Sequence, residues 1–258
     1  MCLIVMAYKH HPDYKLIFAA NRDEFYERPA APAAFWKEEP SLLAGKDLKE
    51  GGTWCGITKT GRLAAITNYR DMKSIKKDAP SRGKIVTDFL SGTSSPELYG
   101  KALKDSADQY NGYSLVFGDK SSLYFFSNRK KEMVEIKSGI HGLSNHLLNT
   151  PWYNVERSKI LFKQAIEKGN NNLTEELFKL LSDNTPSTDD NLPDTGLDPE
   201  MERAISSIFT KTEVYGTRSS TVMLIDNNDN VNFIEKSLDN SNKEWKTSSY
   251  DFQILNTV

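Results

Sequence analysis

Only two cysteines, Cys2 and Cys55, occur in the 258 residues. Neither belongs to a paired Cys or Cys/His spacing, which argues against a disulfide framework and a zinc site and suits a reducing compartment. An excess of charge is lacking as well: 33 Lys and Arg against 35 Asp and Glu leave a formal net charge of -2, with the signs interspersed. No basic stripe is therefore available for nucleic acid or an anionic membrane surface. Long hydrophobic runs are missing. The apolar start is far too short to cross a bilayer, follows no basic segment and runs into Lys9, His10 and His11, so it reads as neither an anchor nor a secretory signal. Repeats and low-complexity tracts are absent too. The expectation is a cytoplasmic protein of one domain spanning residues 1–258, with no nucleic-acid partner and no integral membrane association.

What is present begins with Met1-Cys2, followed by Leu3-Ile4-Val5. Removal of Met1 would put a thiol and a free α-amine on one residue. An α-amine titrates near pKa 7.7–8.0, so it can take the thiol proton close to neutral pH without a histidine. That is the logic of N-terminal nucleophile catalysis. The plainer reading of Cys2 is a small apolar residue opening a buried strand.

Periodicity places a β-hairpin over Cys2 to Tyr8 and Tyr14 to Ala20, turning at Pro12-Asp13 and closed by the polar run Asn21-Arg22-Asp23-Glu24. A stretch through Pro29, Pro32 and Pro40 reads as an extended loop. A second hairpin covers Gly51 to Thr58 and Arg62 to Asn68, ending on Thr67-Asn68-Tyr69-Arg70. Helices are predicted from Ser81 to Leu90 and from a Ser95 cap with Pro96 in the first turn. Strands resume over Tyr113 to Phe117, Leu123 to Ser127 and Met133 to Ile136. Further helices run from Pro151-Trp152 to Lys168, over Leu173 to Leu181, and from Pro199; Ser182 to Asp198 between the last two reads as a mobile loop. A third hairpin, Ser219 to Asp226 with Val231 to Glu235, carries Gly216-Thr217-Arg218 at its entrance. Antiparallel strands interleaved with blocks of helix make the class α+β.

The Met-Cys start, Asn21-Arg22-Asp23-Glu24, Gly51-Gly52-Thr53-Trp54, Thr67-Asn68-Tyr69-Arg70, Gly142-Leu143-Ser144-Asn145 and Gly216-Thr217-Arg218-Ser219-Ser220-Thr221 together resemble the NRDE family, the transport and Golgi organisation proteins. The resemblance runs in order from Met1 to about Asp226. It implies a four-layer αββα sandwich of the N-terminal nucleophile hydrolase type, distantly similar to penicillin V acylases and bile salt hydrolases. Carried over position by position, it makes Cys2 the nucleophile and Asp23 the carboxylate orienting the amino-terminal group. It makes Asn68 an oxyanion donor, Asn145 a second polar group beside the thiol, and Arg218 a guanidinium that lowers the thiol pKa. Arg22, Asn21, Trp54, Tyr69 and His146, from the same motifs or beside them, are expected to line the substrate pocket. Asn149 competes with Asn145, because Asn145 is separated from Pro151-Trp152 by five residues. Arg22 lies directly beside Asp23, whereas the acylases carry their strand-end Arg three residues earlier, where this chain has Ala20.

Each residue also has a structural use: Asn21, Asp23 and Asn68 can cap turns, and Arg22 or Arg218 can form ion pairs. Two functions follow. One is a cysteine hydrolase acting on amide or (thio)ester bonds of a small acylated substrate, without a metal or cofactor. The other is a non-catalytic carrier or chaperone for haem or an acylated metabolite, in a family linked to haem handling, Golgi organisation and secretion. In the second case Cys2, His10, His11, His141 or His146 would ligate the iron, with no Cys-x-x-Cys-His motif for covalent attachment.

Overall fold

The computed structural model describes residues 2–169, 172–239, 241 and 243–255. Met1, on whose removal the nucleophile expectation depends, lies outside them. Among the described residues one antiparallel sheet has the order β10 (Gly139–Leu143), β1 (Cys2–Tyr8), β2 (Tyr14–Phe25), β11 (Tyr215–Asp226), β12 (Asn230–Leu238), β13 (Trp245–Gln253). The second sheet follows chain order: β3 (Ala30–Phe35), β4 (Leu42–Asp47), β5 (Cys55–Thr58), β6 (Leu63–Asn68), β7 (Tyr113–Gly118), β8 (Leu123–Ser127), β9 (Glu132–Glu135).

The run Leu3 to Tyr8 is apolar throughout because β1 is covered on both faces. Its even residues Ile4, Met6 and Tyr8 join Phe18, Leu43, Ile57, Val116 and Met223 in a core between the two sheets. Its odd residues Leu3, Val5 and Ala7 face the other way, onto Val155 and Phe162 of α3 (Tyr153–Glu167) and Leu177 and Leu181 of α4 (Leu173–Leu181). The second sheet is covered by α1 (Gly83–Ser91), whose Ile85, Val86, Phe89 and Leu90 form one apolar stripe, with Leu103 of α2 (Pro96–Ser106). Helix, sheet, sheet, helix is thus the observed layering. Ser95 caps α2 through its hydroxyl, and Pro96 occupies the first turn. Asp198 does the same for the short α5 (Pro199–Ala204).

Several boundaries differ from the sequence expectation. β2 does not stop at Ala20: the polar run Asn21-Arg22-Asp23-Glu24 continues the strand to Phe25 because β11 pairs with it, from Tyr215 opposite Phe25. For the same reason β11 starts at Tyr215 rather than Ser219. The expected Pro/Ala loop contains the edge strand β3, with Pro32 inside a register break between Ala31 and Ala34, where a missing N–H costs no ladder bond. The closing strand β13 went unpredicted; apart from Trp245, Tyr250 and Phe252 its residues are polar, and it pairs with β12 from Asn230 to Leu238.

Polar links also cross between the sheets. Glu235 on β12, 1% exposed, accepts the Ala33 N–H of β3 at 2.7 Å, and the Tyr250 hydroxyl of β13 donates to the Ala33 carbonyl. Burial pushes the Glu235 carboxyl up from an ordinary 4.5 to about 7. The unfolded chain releases this proton near 4.5 while the folded one keeps it to about 7, so raising the pH across that window removes stability, by up to about 3 kcal/mol. Glu235→Gln is therefore expected to be more stable than the parent in urea melts at pH 8, with the gap closing towards pH 4.5; a gap independent of pH would contradict the shift.

Candidate active site

Antiparallel pairing sets Cys2 opposite Arg22, and Arg22 in turn opposite Ser219. Paired residues share a face, so Cys2 and Arg22 both point between the sheets. Asp23 and Asn21 take the opposite face. Cys2 is half-buried and lines a cavity of about 300 Å³ with Arg22, Asp23, Glu24, Trp54 and Asn68. Burial raises the thiol pKa above its ordinary value; the nearby Asp23 charge raises it further, while the Asp23 main-chain N–H and the Arg22 guanidinium lower it.

Arg22 is 6% exposed, with its guanidinium 4.2 Å from the centroid of the Trp54 indole. It begins a chain of charge along the cavity rim: Glu24 lies 3.8 Å from Arg22 and 3.7 Å from Arg28, and Arg28 forks onto the Asp47 carboxylate at 2.8 and 2.7 Å. Asp23 is buried and accepts the Thr217 hydroxyl at 2.6 Å; burial raises its pKa, against the hydroxyls of Thr217 and Thr210, which lower it.

Asn145 ties the site together. Its Oδ1 accepts the Cys2 main-chain N–H at 3.4 Å, and its Nδ2 donates to the Asn68 carbonyl at 2.8 Å, so one buried amide links β1 to the end of β6. The Asn68 side chain is exposed and forms no hydrogen bond among the described residues, which leaves its amide free to donate into the cavity. Asn149 stands apart: its Oδ1 accepts the Gly142 N–H and its Nδ2 meets His141. Of the two competing asparagines, the fold therefore brings Asn145 to Cys2.

Other expected site residues are placed elsewhere. Arg218 sits in a bulge between Thr217 and Ser219, which turns it away from the thiol; its Nη1 donates to the carbonyls of Phe25, Tyr26 and Arg28 at 2.8, 3.1 and 3.0 Å. The guanidinium that lowers the Cys2 thiol pKa is that of Arg22, and Arg82 on the wall of the same cavity also interacts with the Cys2 charge. Asn21 is spent on the helix side of the sheet, donating to the carbonyls of Leu181 and Ile208 and accepting the Ser220 hydroxyl. His146 lines neither the Cys2 cavity nor its neighbour. Its ring nitrogens meet the Tyr69 and Thr150 hydroxyls, and its ring lies between Tyr69 and Trp152. His141 likewise has both ring nitrogens engaged. No histidine among the described residues lines the Cys2 cavity.

An adjoining groove of about 390 Å³ shares Asn68, Arg82 and Asn111 with the Cys2 cavity. Phe25, Met72, Ile75, Met201 and Val214 line it and are 51%, 42%, 56%, 44% and 61% exposed, which makes its wall an exposed apolar patch. Tyr69 lines it as well. Its wall is held by the buried Arg70–Glu202 ion pair, which joins the end of β6 to α5 beneath Met201, with the Arg70 guanidinium over the Trp152 ring. Arg82 and this patch escaped the sequence reading because their residues come from five separate segments with no common spacing.

Comparison with known proteins now decides the family. The model of the family described as Transport and Golgi organisation 2 matches residues 1–240. The chain belongs to the Transport and Golgi organisation 2 family. A Transport and Golgi organization protein 2 homolog from Bos taurus is 36% identical, covering 98% of this chain and 99% of that protein, and the Homo sapiens homolog is 34% identical over similar shares. Drosophila melanogaster Transport and Golgi organization protein 2 is 27% identical along the full length of both chains. Among solved structures, the C2A mutant of conjugated bile acid hydrolase from Clostridium perfringens matches with a TM-score of 0.50 at 9% identity, covering 100% of this chain and 99% of that one. That likeness establishes the N-terminal nucleophile hydrolase fold for this family member. No helix among the described residues is long and apolar enough to cross a membrane.

Two predictions follow from the site. Asp23→Asn removes a charge that raises the thiol pKa, so iodoacetamide should label Cys2 faster at pH 8, by about threefold to tenfold, whereas Arg22→Met should slow it; unchanged rates in both would place the two charges out of reach of the thiol. Arg70→Met strands the buried Glu202 carboxylate, and chemical denaturation should report a loss of about 3–5 kcal/mol.

Proposed function

We propose that this protein is a cysteine N-terminal nucleophile hydrolase that cleaves an amide or (thio)ester bond of a small acylated substrate. The observation that carries the reading is the position of Cys2: its charged cavity meets an apolar groove at Asn68. A polar leaving group suits the Arg22, Glu24, Arg28 and Asp47 rim, and an acyl chain suits Phe25, Met72, Ile75 and Met201.

The reaction requires Met1 to be removed, because the nitrogen of Cys2 in a peptide bond is not a base. Once freed, the α-amine takes the thiol proton as the sulfur attacks the substrate carbonyl, and the Asn68 amide donates to the developing oxyanion. Asn145, already bonded to the Cys2 nitrogen, fixes where that amine sits. Collapse of the adduct breaks the bond to the leaving group, which recovers the proton from the ammonium. Water, deprotonated by the same amine, then attacks the thioester and releases the carboxylic acid and the free thiol. A desolvated thiol with a raised pKa suits proton transfer concerted with attack rather than a standing thiolate.

Intact mass after expression, then turnover of fluorogenic acyl-amides and acyl-thioesters, tests the reading. Loss of one methionine with measurable turnover is expected. Cys2→Ala should abolish that turnover, and Asn68→Ala should lower kcat about 100- to 1000-fold. Turnover that survives Cys2→Ala would overturn the mechanism. The apolar groove beside the Cys2 cavity supports a second reading, a carrier without chemistry. A stoichiometric Soret shift on haem titration that Cys2→Ala weakens, together with no turnover, would favour it.

A further inference from the structure

Behind the stacked Arg22 and Trp54 side chains lies a cavity of about 290 Å³ that has only these two residues in common with the Cys2 cavity. Pro29, Pro32, Leu48 and Leu238 give it apolar walls. Three polar atoms on its lining residues, Arg218 Nε, Ser219 Oγ and Glu235 Oε2, are sealed from solvent and have no hydrogen-bond partner. Their residues are 4%, 3% and 1% exposed. An unpaired buried polar group costs about 1–3 kcal/mol, so three around one cavity ask for something that supplies their partners.

We infer that this cavity is a second ligand site and that it takes a small organic carboxylate. The Arg218 Nε–H can only donate, the Ser219 hydroxyl can donate, and a protonated Glu235 carboxyl donates through Oε2. All three converge in sense on an acceptor. The surrounding charge agrees: Arg22 and Arg218 are among the lining residues, and so is Lys246 with its partner Asp239. A cationic amine would meet two buried guanidinium groups, whereas a carboxylate with an apolar body fits both the donors and the proline and leucine walls. The site is independent of the Cys2 chemistry, since neither Cys2 nor Asn68 lines it.

Binding is linked to a proton. Burial holds the Glu235 proton up to about 7, against the pull of the Ala33 N–H from β3, Arg22 from β2 and the Thr221 hydroxyl from β11. From β5, Cys55 also faces this carboxyl and is itself pushed upward by burial, so it stays neutral through this range. A carboxylate needs Glu235 in its protonated, donating form. Its affinity should therefore fall about tenfold per pH unit above 7.

The test is calorimetric titration of the full chain with benzoate at pH 6, 7 and 8.5, with benzamide and benzylamine as neutral and cationic controls. Expected results are saturable benzoate binding with proton uptake from the buffer, weakening above pH 7, and no benzylamine binding. Ser219→Ala should weaken benzoate severalfold. Glu235→Gln, whose amide still donates, should bind with no pH dependence between 6 and 8.5, and Cys2→Ala should bind like the parent. Absence of benzoate binding at pH 6 would overturn the proposal, with water then the occupant. So would benzylamine binding that tightens with pH, or benzoate binding that Cys2→Ala abolishes while Ser219→Ala leaves it unchanged. Should Glu235→Gln fail to fold, the comparison of Ser219→Ala with Cys2→Ala decides.

Discussion

The antiparallel register that sets Cys2 across from Arg22 governs the rest of the site. Because side chains alternate along a strand, this one pairing sends both residues into the space between the sheets and leaves Asp23 and Asn21 on the helix side. A slip of one residue would exchange the sets. The slip is opposed by the whole of β1 and β2, whose even and odd apolar residues fill two different cores. The chemistry at the strand ends is thus held in register by packing that never touches it.

Burial is what gives the site its character. The carboxyl of Asp23 and the guanidinium of Arg22 are buried and the thiol of Cys2 is half-buried, and each is pushed towards its neutral form by desolvation. The opposing charges along Glu24, Arg28 and Asp47 offset part of that cost and stay nearer the rim. Trp54 closes the arrangement from the second sheet. Gly45 on β4 is what admits it, since a Cβ there would lie 2.4 Å from the indole. The sheets therefore meet at the site through an aromatic face laid on a buried cation, a contact worth about 2 kcal/mol when desolvated.

Strands with unbroken apolar runs or clear alternation were legible: β1, the hairpin of β5 and β6, β7 and β8 all appear close to where periodicity puts them. So were the helices with strong caps, with Ser95 and Pro96 opening α2 as their side-chain chemistry suggests. Illegible elements were those whose conformation is imposed by a neighbour. Asn21 to Phe25 looks like a turn and is a strand because β11 lies alongside, and β13 has little apolar content of its own to announce it.

The sequence by itself determined that Cys2 and Asn68 would stand at strand ends, and it determined the family, because local pattern and motif order are written along the chain. Only the tertiary structure decided which guanidinium reaches the thiol. Arg218 is bulged onto three carbonyls, and Arg22 takes the place beside Cys2, a choice made by a one-residue irregularity in strand pairing. The cavities were decided the same way. The apolar groove gathers Phe25, Met72, Met201 and Val214 from four segments, and no spacing in one dimension encodes a surface that exists only once the sheets and α5 have docked.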